Sequence, residues 1–495
     1  MGAKRVVVVG AGMAGLVAGL ELAARGGAVT MLERAEAPGG KLREVEIGGR
    51  RLDAGPSVFT MRHVFDEIFA AAGASLDEHV RLAPAELLAR HAWSERERLD
   101  LYADLARSED AVGAFAGAAE AKRFREFAER ARRIYTTLER PFMRAARPSA
   151  LALIRAVAPQ GIGKLFAITP FETLWRALGD HFRDPRLRQL FARYSTYCGS
   201  SPFLAPATLM LIAHVELDGV WLVEGGMHRL ARALAALAAS RGALFRYGAH
   251  VAEVVLAKGR AAGVVLASGE RVEADAVVLN ADSAALAAGF FGSAVAKAAP
   301  GVSRKERSLS AITWSLLART EGFPLARHTV FFSDAYAAEF DDIFIGQRVP
   351  ASPTVYVCAQ DRDDRGLPAP SGEERLFCLV NAPANGDARP LAPEEVEAAT
   401  QGAFGRLARC GLHVARRPEA TVVTTPADFE RLYPGTGGAL YGRASHGWRA
   451  SFDRPGSRSR VPGLYLAGGS THPGAGLPMA ALSGRLAAAS VLAEA

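Results

Sequence analysis

The chain has 495 residues, 49% of them hydrophobic, and a formal net charge of +7 at pH 7. That length and apolar content suffice for more than one core, so two or three structural units are expected, contiguous or not. Four widely spaced cysteines, Cys198, Cys358, Cys378 and Cys410, form no CxxC and sit beside no His pair, which argues against a disulfide framework or a zinc site and fits a reducing cytoplasm. The first strand begins at about Arg5, which leaves no room for a signal peptide. No apolar run reaches the roughly 18 residues of a spanning helix, so a cytoplasmic protein that does not cross the membrane is expected.

Residues 6–9 are four valines, a buried-strand run that flows into Gly10-Ala11-Gly12-Met13-Ala14-Gly15. A helix is predicted over 16–25, then a second strand over 28–32 that ends on Glu33. This is a GxGxxG dinucleotide fingerprint in its proper strand-turn-helix context. Gly10 permits the tight turn, Gly12 lets the backbone approach a pyrophosphate, and Gly15 lets the helix pack on the strand. Glu33 is placed to hold the ribose hydroxyls. Two further glycine turns follow, Pro38-Gly39-Gly40-Lys41-Leu42 and Asp53-Ala54-Gly55-Pro56-Ser57.

Helical spacing of apolar residues predicts helices over 64–85 and 109–138, and Pro141, Pro148, Pro159 and Pro170 cut the following chain into short apolar pieces. Residues 121–193 carry sixteen Lys/Arg against six Asp/Glu, a local excess larger than that of the whole chain. A basic amphipathic set of this kind can lie in a membrane interface, and Arg140, Arg144, Arg147 and Arg155 are its natural anchors. Beyond it a helix is predicted over 230–241, then short alternating strands over 243–247, 250–256, 263–266, 271–272 and 276–280. Strands rich in aromatic and β-branched residues follow over 312–317, 329–332, 354–358 and 376–381, interrupted by one helix over 393–410, and read as a mixed sheet roofing an apolar cavity. Near the C-terminus a strand runs into Gly468-Gly469-Ser470-Thr471-His472-Pro473-Gly474-Ala475-Gly476, and a last helix ends at Leu492. Its start, around Met479 and Ala480, presents a positive dipole end to any cofactor there. Nothing in the sequence points to a metal or a nucleic acid.

The glycine clusters and the basic turn resemble the FAD-binding segments of the amine oxidase and carotenoid desaturase superfamily. The string at 468–476, followed by Leu477-Pro478, resembles the carboxy-terminal signature of bacterial phytoene desaturase-type carotenoid desaturases. The segments beginning at Tyr197, Phe331, Val355 and Tyr433 are similar to the branch that acts on acyclic 1-hydroxy or 1-methoxy carotenoids. The resemblance covers nearly the whole chain and is weakest over 85–185. Gly469-Ser470-Thr471 stands where many amine oxidases carry an acidic Gly-Asp.

The resemblance implies an α/β fold in three parts: a discontinuous Rossmann-like FAD-binding domain (1–75, 225–295 and 440–495), a helical substrate and membrane-contact subdomain (76–224) and a mixed-sheet substrate domain (296–439). It implies FAD held by Gly10, Gly12, Met13, Ala14, Gly15, Glu33, Arg34, Gly40, Lys41, Leu42, Gly55, Pro56, Ser57, Val251 (through its backbone, against the adenine), Gly468, Gly469, Met479 and Ala480. The implied reaction is FAD-dependent 3,4-desaturation of a hydroxyneurosporene-type carotenoid by hydride transfer to flavin N5, within spheroidene- or spirilloxanthin-type biosynthesis. The electron acceptor stays open, with quinone and oxygen as candidates, and the protein would associate peripherally with the inner membrane. His472 is a candidate base, with a structural histidine and a solvent-derived base as alternatives. Another desaturase, a saturase or an isomerase of the same flavoprotein family stays open, as does a carotenoid-binding flavoprotein without turnover.

Overall fold

The computed structural model describes residues 4–146, 171–368, 371–450 and 452–494. The valine run forms the central strand, Arg5–Val9, of a five-stranded sheet, and its alternate side chains serve two different cores. Val6 and Val8 pack with the helices Met13–Ala24, His228–Ser240 and Leu477–Leu492, whereas Val7 and Val9 pack beneath the antiparallel meander Val251–Ala257, Arg260–Leu266 and Arg271–Glu273. The sheet runs in the order Leu464–Leu466, Ala276–Leu279, Arg5–Val9, Ala28–Leu32, Leu244–Arg246, each strand parallel to its neighbours. Segments from both ends and the middle of the chain thus meet in one doubly covered parallel sheet. Its carboxyl edge is where an open α/β sheet takes its ligands.

The second sheet has seven strands, in the order Thr421–Thr424, Ser310–Ala318, Glu374–Ala382, Val355–Ala359, His328–Phe331, Leu87–Ala92, Arg98–Tyr102. All pairs are antiparallel except His328–Phe331 with Leu87–Ala92. The last two strands come from the stretch expected to be helical, although Arg98-Leu99-Asp100-Leu101-Tyr102 does carry the alternation of a half-buried strand. Two more helices accompany this sheet than expected, Tyr336–Phe344 and Pro426–Leu432, besides Pro393–Arg409. The helix expected over 64–85 is shorter, Arg62–Ala71, because Gly73 turns the chain at φ 69° and Leu82–Pro84 pairs as a strand with Trp221–Val223. The stretch over 109–138 divides into Leu105–Ala116 and Ala118–Leu138 at Gly117, whose φ of 96° no β-carbon-bearing residue adopts readily.

The helical layer closes over a phenylalanine cluster, with Phe127 and Phe191 ring centroids 4.5 Å apart and Phe182 stacked at 5.0 Å on Phe191. Its positive charge is less free than the residue count suggests. Arg125 pairs with Glu109, Arg186 with Asp184 and Glu97, and Arg144 with Glu67 and Glu139. Arg193 is not on the surface at all, being 7% exposed. The anchors Arg147 and Arg155 and the short apolar pieces between them lie outside the described residues. Among the described residues no helix is long and apolar enough to cross a membrane.

Candidate active site

One cavity of about 1470 Å³ runs from the carboxyl edge of the parallel sheet to the underside of the seven-stranded sheet. Ligand pockets usually hold about 300–1000 Å³, so this one has room for a cofactor and a second molecule together.

The cofactor half is built almost entirely of backbone. Gly10 (φ 94°) closes the turn after the first strand, and a β-carbon there would lie 2.8 Å from the Asn280 carbonyl oxygen. Gly12 caps the helix Met13–Ala24, so the first-turn amides of Met13 and Ala14, which no intrahelical carbonyl can satisfy, sit at the cavity wall. The Gly39 amide donates to the Ala11 carbonyl at 2.8 Å, and Gly40 approaches so closely that its β-carbon would stand 3.1 Å from the Gly12 Cα. His228 fixes this second turn, since its Nε2 donates to the Pro38 carbonyl at 2.7 Å. Two loops are thereby stacked into a cradle that only glycine leaves open, which is what a pyrophosphate requires. Glu33 closes the second strand beside it, accepting from the amides of Ala11 at 2.7 Å and Ala35 at 2.9 Å.

The Gly55-Pro56-Ser57 turn is anchored from both sides. Asp53 accepts from the amides of Met227 and His228, and its own backbone is paired in both directions by the Gln360 side chain. At the opposite wall the C-terminal turn is laced by hydroxyls: Thr471 Oγ1 donates to the Gly468 carbonyl at 2.7 Å, and Ser470 Oγ accepts from the Ser283 amide at 2.9 Å. Two cations face this half. Lys41 donates to the Leu440 carbonyl at 2.6 Å, and desolvation lowers its pKa. Arg454 is buried and donates to the carbonyls of Tyr441, Gly469 and Arg443. None of those bonds goes to a carboxylate, and burial pushes its pKa down. Asp282, also in the cavity lining, acts on both cations, and two positive charges against its one suit a group that gains negative charge on reduction.

Of the residues expected at the cofactor, all but Gly15 line the cavity. Gly15 sits behind it, where a β-carbon would come 2.0 Å from the Gly10 carbonyl oxygen, so its task is helix-strand packing. His472 is also behind the wall: it is 1% exposed, its Nε2 donates to the Phe142 carbonyl at 2.8 Å, and its ring meets Phe142 edge-on at 5.0 Å. Burial holds its pKa at about 4. That placement ties the C-terminal turn to the π-helical segment Glu139–Met143 and gives the ring no access to a substrate in the cavity.

Asn280 was not anticipated. Its Oδ1 accepts from the Gly15 amide at 2.9 Å and its Nδ2 donates to the Ala467 carbonyl at 3.0 Å, which joins all three cofactor-bearing segments. Its position at the end of a strand before Asp282 was the only signal.

The substrate half is walled by Leu209, Ile212, Val215, Val330, Phe377 and Leu379, and its apolar lining is interrupted by a small number of buried polar groups. Its lining also includes Phe171, 80% exposed, and Trp448, whose rings meet at 5.5 Å.

The profile of the flavin containing amine oxidoreductase family matches residues 13–492. A hydroxyneurosporene desaturase of Rubrivivax gelatinosus is 56% identical over 491 residues, covering 99% of this chain and 93% of that protein. Another, of Cereibacter sphaeroides, is 48% identical over 490 residues, 99% of this chain and 98% of that one. An oxidoreductase of Methanosarcina mazei of solved structure shares the fold with a TM-score of 0.60 at 17% identity, covering 99% of this chain and 100% of its own. A flavin family combined with a dinucleotide cradle makes the cofactor FAD, and the residues present fit it. The chain belongs to the flavin-containing amine oxidoreductase family and, within it, to the carotenoid desaturases.

Proposed function

We propose that this protein introduces the C3–C4 double bond into an acyclic 1-hydroxy or 1-methoxy carotenoid of the hydroxyneurosporene type, in a spheroidene- or spirilloxanthin-type pathway. The observation that carries this reading is the continuity of one long apolar cavity with the dinucleotide cradle, in a chain 56% identical to a hydroxyneurosporene desaturase. Bound FAD supplies the acceptor for a hydride, while the second hydrogen leaves as a proton to solvent and the polyene spreads the charge that develops at the donor carbon. The final electron acceptor is left open, with a quinone or oxygen as the candidates the assay below separates.

The protein's own contribution is orientation and exclusion of water. The aliphatic and aromatic walls align an extended chain, Gly55 to Ser57 bring the backbone up to the reacting end, and Lys41 and Arg454 supply positive charge where electrons arrive.

The substrate is nearly insoluble in water, so the mouth has to meet a lipid surface. Phe171 and Trp448 form an aromatic rim, with the Arg449 guanidinium 5.9 Å from the Trp448 ring and exposed Arg176 at the same edge. Aromatic and arginine side chains together favour the headgroup boundary of an anionic bilayer. This rim, at the cytoplasmic face of the inner membrane, is the entry surface.

The reading is tested by incubating FAD-loaded protein with 1-hydroxyneurosporene in liposomes, with and without a quinone. One added conjugated double bond shifts the pigment spectrum to longer wavelength. An unchanged spectrum with fully flavinylated protein overturns the assignment.

A further inference from the structure

Polar side chains such as Thr208, Thr313, Thr354 and Asn381 interrupt the apolar wall of the substrate half singly, and at one corner two hydrogen-bonded groups face it together. In the first, the Tyr356 hydroxyl lies 2.7 Å from Ser57 Oγ and 2.7 Å from His328 Nδ1. In the second, the Tyr197 hydroxyl donates to Glu216 Oε2 at 2.7 Å, the Tyr194 hydroxyl donates to Oε1 at 2.6 Å, and the Arg193 guanidinium donates to the Tyr197 oxygen at 3.0 Å. The two groups line the same cavity, and the Arg193 charge acts on both Tyr356 and His328. His328, Arg193, Tyr194 and Glu216 are buried, while Ser57, Tyr356 and Tyr197 are half-buried and line the cavity.

A hydrocarbon substrate gives no reason for such a corner. Polar and ionised groups in a low-dielectric wall are costly unless bonded, and apolar residues of the same volume generally serve stability as well or better. A substrate oxygen does give a reason, and its position can be worked out. On the reading proposed above, on which this inference rests, the oxygen sits on C1 and the bond that is oxidised is C3–C4. Only C2 lies between them. The group that reads the oxygen therefore has to stand beside the cofactor, not at the far end of the cavity. Ser57 meets that condition because it directly follows the Gly55-Pro56 turn of the cofactor half.

The donor set also fits the chemistry. A tertiary hydroxyl can accept or donate, but a methoxy oxygen can only accept, so a site for both has to donate. Tyr356 supplies that donor when Ser57 and the Nδ1–H of the neutral His328 imidazole, whose pKa burial holds at about 3, both donate to its oxygen and leave its one proton facing the cavity. We infer that Tyr356, held by Ser57 and His328, donates to the C1 oxygen of the substrate, that the Tyr197 oxygen accepts from that oxygen when it is a hydroxyl, and that this sets the register that lays C3–C4 against the cofactor. A carotenoid without that oxygen leaves these hydroxyls unpaired and slides freely along the apolar wall.

The test compares kcat/KM for 1-hydroxyneurosporene, 1-methoxyneurosporene and neurosporene in wild type, Tyr356→Phe and Tyr197→Phe, with flavin content measured for each. A site built around a hydrogen bond rejects the analogue that lacks it strongly, so wild type should prefer the oxygenated pigments on the order of a hundredfold or more. Tyr356→Phe should keep its FAD and lose about tenfold or more of that preference, mainly through a higher KM for the oxygenated pigments. Tyr197→Phe removes an acceptor open to the hydroxyl alone, so it should lower kcat/KM for 1-hydroxyneurosporene and spare 1-methoxyneurosporene, and it decides the matter if Tyr356→Phe loses flavin. Equal losses on all three pigments in both variants, or full retention of the preference, overturns the inference. A wild type that converts all three pigments equally overturns the inference while leaving the desaturase reading intact. A flavin-loaded wild type that converts none overturns both.

Discussion

Gly12 offers the sharpest structural test of the cofactor cradle. Its φ of −71° and ψ of 174° are open to any residue, so a substitution there is penalised by space alone. A β-carbon would stand 2.8 Å from Asn280 Oδ1, closer than real contacts allow, and Asn280 has to move. Moving it breaks the bonds to the Gly15 amide and the Ala467 carbonyl, each worth about 0.5–1.5 kcal/mol, for a total of roughly 1–3 kcal/mol. Gly12→Ala should show that loss of stability in urea unfolding and retain part of its flavin. Gly12→Val adds two methyl groups in the space the pyrophosphate needs, and the variant should purify folded but without FAD, as read from absorbance and circular dichroism. One FAD per chain in Gly12→Val would refute the placement of the pyrophosphate.

Glu33→Ala removes ribose bonds of charged type, worth roughly 1.5–3 kcal/mol, and should weaken FAD about tenfold or more by titration of the apoprotein; it also frees the amides of Ala11 and Ala35, so a lower unfolding midpoint should accompany it. An unchanged affinity would place the ribose elsewhere. His472 has a folded pKa of about 4, depressed from about 6.5, so its contribution to stability is complete above pH 6.5 and lost as pH falls toward 4, at about 1.4 kcal/mol per pH unit. Glu339, raised to about 7 by burial, acts in the opposite sense, gaining stability as pH falls from 7 to its unfolded value. His472→Gln should make the acid loss shallower by about one proton and leave turnover within about fivefold of wild type; a hundredfold loss with FAD retained would restore it as a base. Replacing Phe171 and Trp448 together by Ser should reduce co-sedimentation with anionic liposomes and leave the flavin spectrum unchanged. Wild-type binding should weaken with salt as the screening length falls from about 10 Å at 0.1 M to about 3 Å at 1 M, and equal binding to neutral vesicles would move the entry surface elsewhere.

The cofactor half was legible because its information is local. Strand, turn, helix and terminal acid lie within residues 6–33, and the C-terminal turn announces itself in nine consecutive residues. The parallel sheet followed from the four valines. The substrate half was not legible in the same way, since Ser57 and Tyr356 are 299 residues apart and meet only because the loop carrying Ser57 folds against the strand Val355–Ala359. The strands Leu87–Ala92 and Arg98–Tyr102 were missed because a strong helical pattern surrounds them. Arg454, in Asp453-Arg454-Pro455-Gly456, reads as an exposed turn but is buried against three carbonyls. The arginine excess over 121–193 was counted correctly, yet its pairing with Glu67, Glu97 and Glu109 depends on folding that residue counting does not contain.

The central claim is that one cavity brings a hydroxylated polyene to FAD for removal of two hydrogens. Anaerobic mixing of flavin-loaded protein with 1-hydroxyneurosporene in liposomes, followed by absorbance at the flavin and pigment bands, tests it in a single turnover. Oxidised flavin should bleach in step with the appearance of one equivalent of the longer chromophore, with no quinone or oxygen present. A longer chromophore formed while the flavin stays oxidised, or a flavin that stays oxidised with the pigment unchanged, would contradict it.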